Sequence, residues 1–342
     1  MRGAAECAAP AGALAPAGQY QAAHAAVVLA ERADLGRVRF AGKDAADLLH
    51  RLSTNAIKGL RQGSGAATVL TTNKGRILDL ITLHRTGDAY LGLCASGRVR
   101  AVLDWIERYT FREVVTAEDQ TASHRTFGLH GPRAAAVVAR LFGAAAADLP
   151  LHGVAEASLG TAPVLVVRSF PLAGESFLLT VQAESAEALR GEVRDRAGEP
   201  VVEAGAAMLE VLRVEAGLPA AGRELTEEHN PWEARLDDAI SLTKGCYVGQ
   251  EVVARLHNYK KVARQLVRIA IPAAPVAVAP GDPVRAGAET IGVLTSSVIV
   301  PDGAGRTLAL GYVRTGDATA GRPVEVEHAG AAVPAVIEGV AR

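Results

Sequence analysis

Cysteine is scarce in this 342-residue chain: Cys7, Cys94 and Cys246 lie far apart, and no two form a C-x-x-C pair. An odd, scattered set argues against a disulfide framework or a structural zinc site and fits a reducing compartment. Aromatic residues are as thin, at 4%, although apolar residues reach 49%. Alanine makes up the difference. Small side chains bury little area each, so the core must come from many modest contacts. Net charge is also missing: 36 Lys and Arg face 37 Asp and Glu, a formal balance of −1. That removes nucleic acid and an anionic membrane surface from the leading partners. No apolar run approaches membrane-spanning length, since "IPAAPVAVAP" is short and carries three prolines. The nine histidines form no H-x-x-x-H or H-x-H pair, and no metal site is read from them. The opening "MRGAAECAAPAGALAPAGQY" has an early Glu and no clean apolar core, and reads as a disordered tail rather than a signal peptide. The expectation is a soluble, cytoplasmic protein.

What is present alternates strands with helices. "LGRVRFAGKDAADLLHRLSTNAIKGL" reads as strand, turn and helix, with Asp44 as N-cap and Ala45, Leu48, Leu49 and Leu52 on one stripe. "ATVLTTNKGRILDLITL" reads as a hairpin turning at "TNKG". "DAYLGLC" is a further strand, and "RVRAVLDWIERYT" a helix with Val99, Val102, Leu103 and Ile106 at helical spacing. A second unit opens at "HRTFGLHGPRAAAVVARLF", where Pro132 suits a first helical turn. "GAAMLEVLRVEAGLP" is a helix stopped by Gly217, and "LDDAISLTKG" leads by a short strand into "KGCYVGQEVVARL". From about Val262 the chain becomes short strand-like runs between Gly, Pro and Asp, a small all-β domain.

Three side chains could carry chemistry. Cys246 precedes a helix expected to begin about Gly249, with Lys244 two residues upstream, and both favour the thiolate. The competing reading is a small buried hydrophobe in a tight turn. Asp79 shares a strand face with Ile77 and Ile81, where an ionised carboxylate costs several kcal/mol to bury unpaired. It calls for a ligand bearing N–H donors, a buried basic partner, or exposure at an edge. Arg213 shares a helical face with Glu210 and Gly217 and could grip a ligand carboxylate, or simply pair with Glu210. The basic run "ARLHNYKKVARQLVR" has too few aromatics for a nucleic-acid surface and reads as a solvated face.

Taken together, "KGCYVGQEVVAR" resembles the "KGC-aromatic-x-GQE" hallmark of the YgfZ-type folate-binding proteins. These are relatives of the glycine-cleavage aminomethyltransferase linked to iron–sulfur cluster assembly or repair. "LRVEAGLPAAGREL", "HNPWEARLDDAISL", "TTNKGRILDLITL" and "GLHGPRAA" resemble other segments of that family in consistent order, from Val27 to Val336.

The resemblance implies an α+β, three-domain aminomethyltransferase-like fold around a tetrahydrofolate pocket. A split folate-binding domain would take residues 21–122 and 203–261, and a ferredoxin-like domain 123–202. A C-terminal β-barrel would take 262–342, with residues 1–20 as the tail. It implies Asp79, Arg213 and Glu215 at the folate and Lys244, Gly245, Cys246, Tyr247, Gly249, Gln250 and Glu251 as the motif, with Cys246 the functional thiol facing the cavity. Asp79 matches the second member of an Asp–Asp pair in the aminomethyltransferases, and Leu78 replaces the first. The expected role is therefore a tetrahydrofolate-binding protein that supports iron–sulfur assembly, with client or assembly proteins as partners. Folate-dependent aminomethyl or methyl transfer is the alternative, and whether there is turnover stays open.

Overall fold

The computed structural model describes residues 17–272 and 278–341. In chain order these form α1 (Ala17–Ala25), β1 (Val27–Glu31), β2 (Leu35–Ala41), α2 (Ala45–Leu52), β3 (Gly65–Thr71), β4 (Ile77–Thr86), β5 (Ala89–Ala95), α3 (Val99–Arg108) and β6 (Thr116–Asp119). Next come β7 (His124–His130), α4 (Ala134–Phe142), α5 (Ala144–Ala147), β8 (Val154–Leu159), β9 (Ala162–Arg168), β10 (Ser176–Gln182), α6 (Ala186–Arg196) and β11 (Val201–Glu203). They are followed by α7 (Ala206–Glu215), α8 (Gln250–Asn258), β12 (Arg264–Ile271), β13 (Pro283–Ala286), β14 (Glu289–Ile299), β15 (Thr307–Arg314), β16 (Pro323–His328) and β17 (Ala331–Val340). No helix among the described residues is long and apolar enough to cross a membrane.

The strands make three sheets. A five-stranded sheet has the order β3-β4-β5-β2-β6, a six-stranded sheet the order β11-β1-β7-β10-β9-β8, and β12-β15-β14-β13-β16-β17 close into a barrel. The middle unit is ferredoxin-like: the order β11-β7-β10-β9 alternates with α4 and α6, β8 is added at the edge beside β9, and one further strand is inserted within the sheet. That strand is β1, which the sequence reading places in the first unit. It pairs antiparallel to β7 and parallel to β11, with Val28 opposite His130 and Val27 opposite Val201. Val27, Val28, Leu29 and Ala30 are all buried, the unbroken apolar run of a strand covered on both faces.

The tail boundary also moves, because α1 starts at Ala17 and Tyr20 is buried; residues 1–16 of the expected tail lie outside the described residues. The stripe predicted on α2 is present, with Ala45, Leu48, Leu49 and Leu52 buried. Asp44 sits at its N-cap but does not cap it. Its Oδ2 instead accepts from the Val114 amide at 2.8 Å. The strand expected at "LDDAISL" is a single 3-10 turn, Asp237–Ala239, and the Ser241 amide donates to the Thr54 carbonyl at 2.9 Å.

Two local devices position the site. The β3–β4 turn closes with Gly75 N–H to Thr72 O at 2.9 Å, and Gly75 at φ 66° takes the left-handed position that follows a type I turn. Helix α7 ends in a Schellman motif: Leu218 N–H reaches Arg213 O at 3.0 Å, Gly217 N–H reaches Val214 O at 3.0 Å, and Gly217 has φ 70°. Met208, Val211, Leu212 and Val214 of α7 pack in one cluster with Tyr20 of α1, Val69 of β3 and Leu308, Leu310 and Tyr312 of β15. This shared core joins the three units, each large side chain contributing roughly 1.5–3 kcal/mol of burial.

Candidate functional site

Strand β4 alternates as the sequence predicts, and Asp79 falls on its buried face between Ile77 and Ile81. The carboxylate is 3% exposed. Its Oδ1 accepts from the Leu80 amide at 2.9 Å, while Oδ2 has no partner. Burial pushes the Asp79 carboxyl up to about 7, against the opposing pull of the Arg98 guanidinium and the Leu80 N–H. Near neutral pH this group holds or releases a proton with little bias.

Asp79 lines a cavity of about 510 Å³, within the range of small-molecule sites. One wall is α3 with its flanking residues Arg98 and Tyr109; another is β4 with the β3–β4 turn, through Leu78, Thr72 and Asn73. Trp105 lines the same cavity, and its buried Nε1 also lacks a partner. A buried acceptor and a buried donor, each unsatisfied, cost the fold a few kcal/mol unless a ligand pairs with them. Arg98 is held at the Asp79 end, its Nη2 donating to Leu78 O at 2.7 Å. The α3 wall was missed by sequence reasoning, which took only the apolar stripe of that helix. Its signal was a second stripe at helical spacing, Arg98, Ala101, Trp105 and Arg108.

The other expected site residues are not gathered there. Cys246 is exposed and does not line the Asp79 cavity, which corrects the expectation that sulfur and carboxylate share its walls. The filler reading falls too, because the thiol is not buried. Lys244 does not serve the thiol as expected: its ammonium donates to the carbonyls of His50 and Ser53 at the end of α2, and burial lowers its pKa to about 8. The ammonium also lies 5.0 Å from the Tyr247 ring. Gly249 forms the N-cap of α8 in the left-handed region, φ 82°. Neither Gln250 nor Glu251 makes a side-chain hydrogen bond among the described residues. His257 lies against Trp232, ring centroids 4.9 Å apart.

The motif nevertheless touches the cavity's frame. Thr71 Oγ1 donates to Val248 O at 2.6 Å, and Gly75 of the turn faces Val252 and Val253 of α8.

Arg213 and Glu215 stand apart from the Asp79 cavity. All five donors of Arg213 are used: two on Glu210, one each on Leu218 O, Glu224 and Ser296 Oγ. The expected pairing with Glu210 is present, but it is one part of a joint between α7 and the barrel strand β14. Glu215 accepts from Tyr20 at 2.7 Å and pairs with His24 at 2.9 Å and Arg306 at 3.3 Å. Both side chains join elements rather than face this hollow.

The fold and site define a three-unit α+β protein with a lone buried carboxylate in a ligand-sized hollow. Residues 15–244 match the GCVT N-terminal domain, and residues 264–339 match the glycine cleavage T-protein C-terminal barrel domain. The chain therefore belongs to the glycine-cleavage T-protein family. It is 28% identical over 301 residues to a chloroplastic protein of Arabidopsis thaliana designated a transferase, covering 88% of this chain and 68% of that one. It is 28% identical over 332 residues to an aminomethyltransferase of Symbiobacterium thermophilum, covering 93% and 86%. The crystal structure of the glycine cleavage system aminomethyltransferase T from Bartonella henselae superposes with a TM-score of 0.81 at 21% identity, covering 95% of this chain and 90% of that one. That last likeness is one of fold.

Proposed function

We propose that this protein binds a tetrahydrofolate species through Asp79 and serves iron–sulfur enzymes through the exposed Cys246 thiol. Members of the family bind tetrahydrofolate, and the observation that carries the reading here is the unpartnered Oδ2 of a buried aspartate lining a 510 Å³ cavity. Asp79 would accept the N–H donors of the ring system, and Trp105 would offer its indole N–H and its face. Bound folate supplies a one-carbon carrier nitrogen. Asp79 can hold or take a proton beside it, from the buried face of β4 between Ile77 and Ile81.

On the resemblance described above, Leu78 takes the place of the first aspartate of the aminomethyltransferase pair, which would leave one carboxylate for recognition and proton transfer together. The thiol is available to a partner, being exposed. Among the described residues no group of three or more His, Cys, Asp and Glu is placed to hold a metal. Any cluster that meets Cys246 would take its other ligands from the client or assembly protein. Folate-dependent aminomethyl or methyl transfer remains the second reading, favoured by a carboxyl titrating near neutral pH.

The test combines three measurements. Saturable change in the fluorescence of Trp105 and Trp232 on adding tetrahydrofolate is expected; no binding by fluorescence or calorimetry removes the folate role. Cys246→Ala should fold normally and bind folate, yet fail to restore iron–sulfur enzyme activity in a deletion strain. Full restoration by that variant would remove the thiol's role. Turnover of an aminomethylated donor would favour the second reading.

A further inference from the structure

We infer that a halide-sized monoanion binds at Arg37, in the seam between the five-stranded and six-stranded sheets. Arg37 does not line the Asp79 cavity and has no part in the folate reading. It shares one face of β2 with Leu35. That face looks across to the six-stranded sheet: Leu35, with Leu91 and Leu93 of β5, packs with Val167 of β9 and Leu178 of β10. Arg37 enters this apolar seam and is only 3% exposed.

The partners of Arg37 do not match its charge. Its Nε donates to Thr126 Oγ1 at 2.6 Å, and that hydroxyl lies 2.8 Å from Thr180 Oγ1. Both are neutral. Among the described residues the two Nη groups make no hydrogen bond, and no carboxylate forms an ion pair with Arg37. The guanidinium stays charged at neutral pH, even though burial pulls it down to about 10. Burying a cation unpaired is costly, and an anion beside it removes much of that cost.

The surrounding charges leave a place for one anion. Arg37 feels two other guanidiniums, Arg125 and Arg32, and two carboxylates, Asp34 and Glu31. Asp34 is taken by Arg32 through two bonds of 2.8 and 2.7 Å, and Glu31 lies 3.6 Å from Arg125. With those pairs set aside, Arg37 is the cation left over. His124 adds no charge at neutral pH, because burial and then the Arg37 guanidinium lower its pKa. Glu118 and Glu184 act on that ring, and neither pairs with Arg37. The Nη hydrogens form a planar fork that one small anion can bridge. So little exposure admits a halide and excludes a polyanion.

Thermal melting of the full chain tests this at fixed pH and ionic strength, with sodium gluconate replaced stepwise by sodium bromide. The midpoint should rise saturably, by about 2 °C at roughly 0.2 M bromide. Arg37→Gln should lose the saturable part, and phosphate should produce none in either protein. Crystals grown with bromide should show its anomalous signal against the Arg37 Nη groups. No signal there overturns the site, as does a shift that Arg37→Gln retains or that phosphate reproduces. A signal without a saturable shift means binding at crystal concentration only and overturns it too. Should Arg37→Gln fail to fold, the bromide map and the titration of the unaltered protein still decide.

Discussion

Gly249 holds φ 82° directly against the Thr72 carbonyl, so the loop that carries Cys246 rests on the turn bordering the Asp79 cavity. A β-carbon at Gly249 would collide with that oxygen and approach Thr71 Oγ1 to 3.0 Å. Any L-residue also meets the left-handed penalty of roughly 1–2 kcal/mol. Gly249→Ala should therefore lower stability by about 2–4 kcal/mol in urea unfolding. It should also weaken folate binding, because the turn must shift to relieve the clash.

Much of this arrangement was legible in the sequence, and the reasons are local. The β3–β4 hairpin is announced by Asn and Gly between β-rich runs, α2 by its leucine stripe, and the barrel by short strands punctuated with Gly and Pro. Asp79 was legible because a carboxylate breaks an apolar face. What could not be read were long-range partners. Nothing near β1 in the chain tells it to pair with β7 and β11, and nothing near Arg213 names Ser296, 83 residues away. Lys244 was misread for the same reason: His50 and Ser53, which take its ammonium, are distant in sequence.

Asp79 should make the fold pH-dependent. Its carboxyl is raised from about 3.8 to about 7, so the folded chain binds more protons than the unfolded chain across that window. Its contribution is present below about pH 4 and lost as pH rises through 7, each unit being worth about 1.4 kcal/mol. Asp79→Asn, which mimics the neutral acid, should be more stable than the unaltered protein at pH 8. The advantage should shrink toward pH 5. Urea midpoints at the two pH values check this, and a midpoint lower at both would make Asp79 a structural residue.

Arg213 should prove essential to the fold rather than to folate. Glu224 is fully buried, and Arg213→Met would leave it with no cation. A loss of about 3–5 kcal/mol is expected. Normal stability with selectively lost folate binding would instead return Arg213 to the ligand.

The thiols should separate cleanly. Cys94 is 3% exposed and burial pushes it up to about 12, whereas Cys246 is exposed. In a Cys7→Ser protein, iodoacetamide should label Cys246 and spare Cys94 under native conditions, as mass spectrometry of peptides would show. Labelling of Cys94 at a similar rate would contradict the buried β5 placement.

The central claim is that Asp79 reads a folate through N–H donors that hold its carboxylate ionised. Calorimetric titration of tetrahydrofolate at pH 7, in buffers of different ionisation enthalpy, counts the protons this releases. About half a proton per site is expected from the unaltered protein beyond that from Asp79→Asn, with weaker binding by the variant. Equal affinity and equal proton counts in the two proteins would contradict the account.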